Sequence, residues 1–163
     1  MSSSPNDIVV SSLAISQKLL NRYCEDLKPD EYLHRPCAGA NCAAWLIGHL
    51  ILTERMALKR VGATDVPPLP DGFEKRFARD AEAPKSNEYG DVASLMPLFN
   101  QHRQLLIDTV KRLPPAALDQ SVEKPHPMFN TIGEAVNFMG AHTSMHAGQI
   151  TMIRRSLGRP PLV

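Results

Sequence analysis

Apolar residues recur at helical spacing in four stretches of the chain. The first predicted helix runs from about Asp7 to Leu27, and Pro29 ends it. The second begins near Asn41, a residue that favours the N-cap position, and ends at Gly62. Each helix has an apolar stripe at the three-and-four spacing of one helix face. The stripes consist of Val9, Leu13, Leu20, Cys24 and Leu27 in the first helix, and of Ala43, Leu46, Ile47, Leu50 and Ala57 in the second.

The third predicted helix begins near Asp91, another N-cap candidate, and runs to about Leu113. Pro97 falls in its first turns, so we expect this helix to begin later or to kink there. The connection over residues 63–90 is long and rich in proline and charge. We expect it to be functional or to contain a short helix around 73–78. It is also long enough to carry the chain from one end of a helical bundle to the other, which would make the second and third helices parallel.

The fourth predicted helix has the clearest start. Thr131 and Glu134 match the capping-box pattern, in which each side chain accepts a hydrogen bond from the other residue's backbone amide. Gly158 ends this helix.

No stretch shows the alternation of a strand, and no Asn-Gly or Asp-Gly turn joins two strand-like runs. The sequence therefore predicts an all-α protein with a single domain over residues 1–163.

Composition and charge narrow the choice of partner and compartment. The formal net charge is +1 and the basic residues are scattered, which gives no electrostatic reason to expect nucleic acid or an anionic membrane as a partner. No apolar run approaches the roughly 20 residues of a membrane span. The N-terminus lacks the basic-then-apolar order of a signal peptide. The three cysteines form no CxxC pair, which fits a reducing compartment. We therefore expect a cytoplasmic location.

Three histidines are candidate ligands for a metal ion. His142 and His146 lie four positions apart in the fourth helix, on the same apolar face as Met139 and Ile150. By itself the pair favours ordinary core histidines. His49 changes this interpretation, because it adds a third imidazole near the apolar side of the second helix. Three neutral histidines suit zinc, nickel, iron or copper, and they leave coordination positions open for water or substrate.

Several other residues have weaker claims on such a site, and no catalytic residue is assigned. Trp45 is a candidate for lining an apolar pocket, although core packing is its commoner role. Gln149 is a candidate for orienting a ligand histidine, with a surface glutamine as the equal alternative. Gly148 is expected to permit close helix approach. Glu54, five residues after His49, is a candidate for approaching the metal only if it is rotated well off the direction of the histidine, and we expect it instead to be a solvated partner of a nearby lysine or arginine. His102 is expected on a solvated face, and it is the fallback for a fourth nitrogen ligand.

Two sequence blocks resemble the DinB/YfiT-like superfamily of metal-dependent enzymes. They are "NCAAWLIGHLILTE", which carries His49, and "HTSMHAGQITMIRR", which carries His142 and His146. The resemblance implies a four-helix bundle in up-down-down-up order, with a long crossover between helices 2 and 3. It implies a metal, commonly nickel or zinc, held by those three histidines. Some relatives are S-transferases that use bacillithiol, mycothiol or glutathione, and others are related to maleylpyruvate isomerase. Bundles of this kind often pair, so a homodimer is an expectation that no single residue establishes.

An open three-histidine metal site has two uses. It can lower the pKa of bound water for hydrolysis, or it can bind a thiol as the thiolate. A zinc-protease motif would place a glutamate after the first histidine, but Thr143 stands there, so the motif supplies no general base. The sequence therefore favours a transferase that activates a low-molecular-weight thiol and acts on a small-molecule substrate. A metal-dependent hydrolase and a non-catalytic helical binding protein are the alternatives.

Overall fold

Helices dominate the computed structural model, which describes residues 4–79 and 84–162. In chain order the α-helices are α1 (Pro5–Cys24), α2 (Ala43–Arg60), α3 (Phe73–Phe77), α4 (Leu95–Arg112), α5 (Pro115–Leu118) and α6 (Ile132–Ser156). Short 3-10 helices lie at Glu31–Leu33, Ser86–Glu88 and Val92–Ser94. The prediction of a mainly helical protein is confirmed, as is the short helix inside the long connection. Residues 80–83 of that connection lie outside the described residues.

The structure also contains a small hairpin, which the sequence pattern does not predict. Strands β1 (Ser121–His126) and β2 (Phe129–Thr131) pair antiparallel, with His126 opposite Phe129. Pro127 and Met128 connect them, and the Met128 amide donates to Nδ1 of His126. This turn lacks the Asn-Gly or Asp-Gly pair that marks many hairpins. Both strands also contact α6, so tertiary packing supports a hairpin that the local pattern does not indicate.

The long helices pack in a fixed set of pairs. Helices α1 and α2 each pack against both α4 and α6. At one end of the α1–α4 contact, Asn6 donates to the carbonyl oxygens of Val110 and Leu113, at 2.7 and 3.0 Å. Further along the same contact, Asn21 and Asn100 exchange side-chain hydrogen bonds. Buried apolar side chains from all four long helices fill the space between them, and the candidate site lies between α2 and α6.

The predicted helix starts are partly right. The capping box at Thr131 and Glu134 is confirmed. Asp91 accepts a hydrogen bond from the Ala93 amide and caps the 3-10 helix that leads into α4. Helix α4 therefore begins after Asp91, as expected, and tolerates Pro97 in its first turn because amides there have no partner within the helix. Asn41 is not the N-cap of α2; Cys42 occupies that position and makes no side-chain cap bond.

The predicted helix ends also hold in part. Gly62 and Gly158 follow the ends of α2 and α6 with φ of +67° and +76°, a conformation that favours glycine. Helix α1 ends at Cys24 rather than Leu27. Asp26, just beyond that end, forms an ion pair with Arg154 of α6. This contact with α6 fixes the chain immediately after the end of α1.

One glycine allows α1 and α6 to approach closely, but it is Gly140 rather than the predicted Gly148. A Cβ on Gly140 would lie 2.4 Å from Oγ of Ser12 and 3.2 Å from its carbonyl oxygen. A Cβ on Gly148 would meet no heavy atom within 4 Å. The expectation for Gly148 is wrong because that residue lies on the outward side of α6, which only the packing of the helices determines.

Candidate metal centre

Three histidines from two helices meet in one cluster. His49 comes from α2, and His142 and His146 come from α6. One ring nitrogen from each lies within 4.8 Å of the others. The ring centroids of His142 and His146 are 4.5 Å apart, and each lies 5.3 to 5.5 Å from the centroid of His49. The structure therefore brings together the three histidines that the sequence analysis singled out.

The cluster is enclosed on the α6 side and more open on the α2 side. His142 and His146 are 8% and 7% exposed, because both project from the face of α6 that packs against α2. His49 is only half-buried. Protein therefore shields the cluster on the α6 side, while His49 keeps partial contact with solvent.

Burial keeps these histidines in the neutral form that binds metal. It is the largest cause that lowers the pKa of all three rings. The pKa of His142 falls to about 4, because burial is reinforced by repulsion from His146, His49 and Arg103. A neutral imidazole has one nitrogen lone pair to donate, and three such rings match the ligand set of an open transition-metal site.

Hydrogen bonds fix the orientation of one of the rings. The Nδ1 atom of His146 lies 2.7 Å from Oε1 of Gln149. If this nitrogen donates to the amide oxygen, the lone pair of Nε2 is left facing His142. The two Nε2 atoms of His142 and His146 are 2.9 Å apart. Nδ1 of His142 is buried without a hydrogen-bond partner among the described residues. The Nε2 atoms of His142 and His146 face each other beside a ring nitrogen of His49, and this arrangement of three nitrogen ligands fits a bound cation.

His49 is held by residues of two different segments. The indole ring of Trp45, one turn earlier in α2, stacks on the imidazole with a centroid separation of 5.1 Å and an angle of 6°. The backbone carbonyl of Phe77 in α3 lies close to the His49 ring and raises its pKa, against the larger effect of burial. Exposed Arg79 lowers the pKa of the same ring. The connection between α2 and α4 thus reaches the cluster.

Glu54 lies in the core instead of in solvent, which corrects the sequence expectation. Its two carboxylate oxygens accept from Nε and Nη2 of Arg103 at 3.0 and 2.6 Å, and both side chains are fully buried. The arginine also donates to Ser16 of α1 and to Thr143 of α6. The expected arginine partner is therefore present, but a polar residue within a helix gives no local indication that its partner lies in the core.

His102 is also buried rather than solvated, so that expectation is wrong. Its Nδ1 atom lies 2.8 Å from the carbonyl oxygen of Leu98, one turn earlier in α4. Its Nε2 atom lies 3.4 Å from a guanidinium nitrogen of Arg55. These contacts use both ring nitrogens, and His102 does not belong to the cluster formed by His49, His142 and His146.

Aromatic side chains that were not predicted from the sequence lie beside the cluster. Phe138 precedes His142 by one turn, and the two rings are nearly parallel with centroids 5.7 Å apart. Phe129 of β2 lies 5.8 Å from Phe138, and His126 of β1 stacks on Phe129 at 4.0 Å. Helical spacing could have indicated Phe138. The contributions of the hairpin are visible only in the folded chain.

The structure and the family comparison agree on the class of protein. The described residues form a mainly helical protein with a candidate three-histidine metal centre between two long helices. Residues 12–150 match the family model of the DinB superfamily, and the chain belongs to this superfamily. No curated protein and no solved structure matches the chain. Among the described residues, no helix has both the length and the apolar character needed to cross a membrane.

Proposed function

We propose that this protein is a metal-dependent transferase that activates a low-molecular-weight thiol at the cluster of His49, His142 and His146. The observation that carries the proposal is the convergence of three histidine nitrogens within 4.8 Å. Membership of the DinB superfamily, whose proteins typically bind metal, supports it. We propose nickel or zinc as the metal. Three protein ligands leave a position open, and a bound metal would supply Lewis acidity that favours the thiolate form of a thiol.

The surrounding residues have defined roles in this proposal. The three histidines bind the ion, and Gln149 orients His146 through the bond to Nδ1. Trp45 supports His49 by stacking. The thiol loses its proton to solvent, its sulfur forms a bond to an electrophilic carbon of the substrate, and the leaving group departs with the bonding electron pair.

The polar residues around the cluster favour thiol transfer over hydrolysis. A hydrolase needs a base to take a proton from the attacking water. Glu54 is the acidic side chain closest in sequence to His49 on α2, and both its oxygens are occupied by Arg103. Thr143, which follows His142, is held by the same arginine. A thiolate attacks carbon without such a base. Hydrolysis remains the second candidate, and a non-catalytic helical binding protein remains the third.

We further propose that the four long helices form one domain over residues 1–163, with the up-down-down-up order of a four-helix bundle. Contacts along the helices support this order. Asn6 near the start of α1 reaches the end of α4, so these two helices are antiparallel. Tyr23, near the end of α1, accepts from Arg154 near the end of α6, so α1 and α6 are parallel.

A cytoplasmic location and a homodimer also remain proposals. The three free cysteines support the first.

Metal analysis and a thiol-dependent assay test the function together. Protein purified without a histidine tag should contain about one transition-metal ion per chain, and the H49A/H142A/H146A variant should contain none. Turnover of an alkylating electrophile should then require both the metal and an added thiol. Turnover that is independent of thiol would favour the hydrolase. Equal metal content in the wild type and the triple variant would refute the metal site and leave the binding protein.

A further inference from the structure

Gly48 lies directly beneath the ring of Phe77. A Cβ on Gly48 would lie 2.2 Å from Cδ1 of Phe77, 2.4 Å from Cε1 and 2.5 Å from Cγ. These separations are far inside van der Waals contact, so α2 and α3 can approach this closely only with glycine at position 48. Glycine within a helix costs about 1 kcal/mol relative to alanine. The position of Gly48, immediately before His49, therefore has a packing reason.

Phe77 has little freedom to move away from Gly48. Its side chain is fully buried. Its ring lies 4.5 Å from that of Phe73 and 6.1 Å from that of Tyr89, measured between centroids. The Tyr89 hydroxyl in turn accepts a hydrogen bond from Arg35. This group of aromatic rings anchors α3 on α2, so a side chain added at position 48 would displace α3 as a whole.

The same residue that sits on Gly48 also brings its backbone to the metal centre. The carbonyl of Phe77 lies close to the ring of His49 and raises its pKa. His146 has its hydrogen-bond partner, Gln149, three residues away in the same helix. The polar neighbour of His49 comes instead from a separate segment of the chain. A carbonyl that accepts from a ligand histidine selects its tautomer and fixes its direction.

We propose that α3 is a positioning element of the metal centre. Phe77, seated on Gly48, holds its carbonyl against His49 and fixes the tautomer and orientation of the one ligand that α2 supplies. The proposal rests on the proposed function, because it takes the three histidines as metal ligands. It goes further by assigning a role to α3 and to Gly48, neither of which supplies a ligand.

Metal affinity of a glycine variant tests the proposal. In Gly48→Ala the added Cβ should displace Phe77 and weaken zinc binding by about tenfold or more, the usual effect of losing a partner of a ligand histidine. The matched control is Gly148→Ala in α6, where a Cβ meets nothing within 4 Å. It should bind zinc within about twofold of the wild type. Competition with a chromophoric chelator measures both affinities. An unchanged affinity in folded Gly48→Ala would overturn the proposal.

A double-mutant cycle shows whether Gly48 acts through Phe77. Phe77→Ala removes the ring, keeps the backbone carbonyl and leaves space for a Cβ at position 48. Adding Gly48→Ala to Phe77→Ala should therefore cause little further loss of zinc affinity. If Gly48→Ala alone does not fold, this pair of variants still decides the question. An equal loss in both backgrounds would show that Gly48 acts through some other contact.

The tautomer of His49 gives a readout that needs no metal. Nitrogen NMR of the metal-free protein at a pH where the ring is neutral should show one tautomer in the wild type and in Gly148→Ala. It should show a mixture in Gly48→Ala. A single unchanged tautomer in Gly48→Ala would refute positioning by α3. If the wild type binds no metal, the proposed function fails, whereas this NMR comparison still reports on α3.

Discussion

Arg103 and Glu54 form an ion pair inside the core, with Nη2 of the arginine 2.6 Å from Oε1 of the glutamate and neither side chain exposed. The arginine lies on α4 and the glutamate on α2, and the remaining guanidinium hydrogens go to groups on α1 and α6. One side chain therefore connects the four long helices. Its contact with Thr143 places this network one residue from His142.

Loss of the carboxylate charge should destabilise the fold strongly. Glu54→Gln leaves Arg103 buried without its counter-ion, and removing one partner of a buried pair costs about 3–5 kcal/mol in the free energy of unfolding. Asp108→Asn is the matched control, because Asp108 forms an exposed pair with Lys111. Its effect should stay within about 1 kcal/mol. Urea denaturation measures both variants. Equal, small losses would show that the buried pair contributes no more than the surface pair.

The metal-free protein should lose stability between pH 6.5 and about 4. The pKa of His142 falls from 6.5 to about 4 on folding, so the unfolded chain binds more protons in this range. Stability is therefore full above the unfolded pKa and falls as the pH falls towards the folded pKa. The limiting slope is about 1.4 kcal/mol per pH unit for each histidine kept neutral. His49, His146 and His102 add to it, because burial lowers the pKa of each.

Substitution of His142 tests how much of the pH dependence of the unfolding free energy comes from this residue. His142→Leu removes that titrating group and should give a shallower dependence of the unfolding free energy on pH over the same range. Urea melts of wild type and variant at several pH values, with chelator present throughout, make the comparison. Parallel curves for the two proteins would contradict the lowered pKa of His142.

Gln149 should matter for metal affinity although it is exposed at the surface. Gln149→Ala removes the acceptor 2.7 Å from Nδ1 of His146, so the ring loses the contact that fixes its tautomer. We expect zinc affinity to fall about tenfold or more. Gln149→Glu keeps an acceptor and should retain most of the affinity. The control is Gln104→Ala, because Gln104 is an exposed glutamine on α4 whose side chain donates to Asp108. Equal affinities in all four proteins would refute a role for Gln149.

His102 should affect stability without affecting the metal. Both of its ring nitrogens are occupied by Leu98 and Arg55, away from the cluster. His102→Gln should therefore lower the melting temperature of the metal-free protein and bind zinc within about twofold of the wild type. His142→Gln, made for comparison, should lose most zinc binding. A large loss of affinity in His102→Gln would mean that a fourth histidine takes part in the site.

The long helices and several of their boundaries could be predicted because the determining interactions are local. A capping box uses residues three apart, as at Thr131 and Glu134, and glycine ends a helix through its own backbone freedom, as at Gly62 and Gly158. The hairpin could not be predicted in this way. Its strands are short, its turn contains Pro127, and its packing partner is a helix that follows it in the chain.

The sequence by itself determined that His142 and His146 share one apolar face, since residues four apart in a helix point in nearly the same direction. Only the tertiary structure decided that His49 joins them, that Glu54 and His102 are buried, and that Phe77 reaches His49. Each of these depends on which helix faces lie against each other. A single polar residue within an amphipathic helix has the same local pattern whether it faces solvent or a buried partner. Packing between distant segments decides whether such a residue faces solvent or a buried partner.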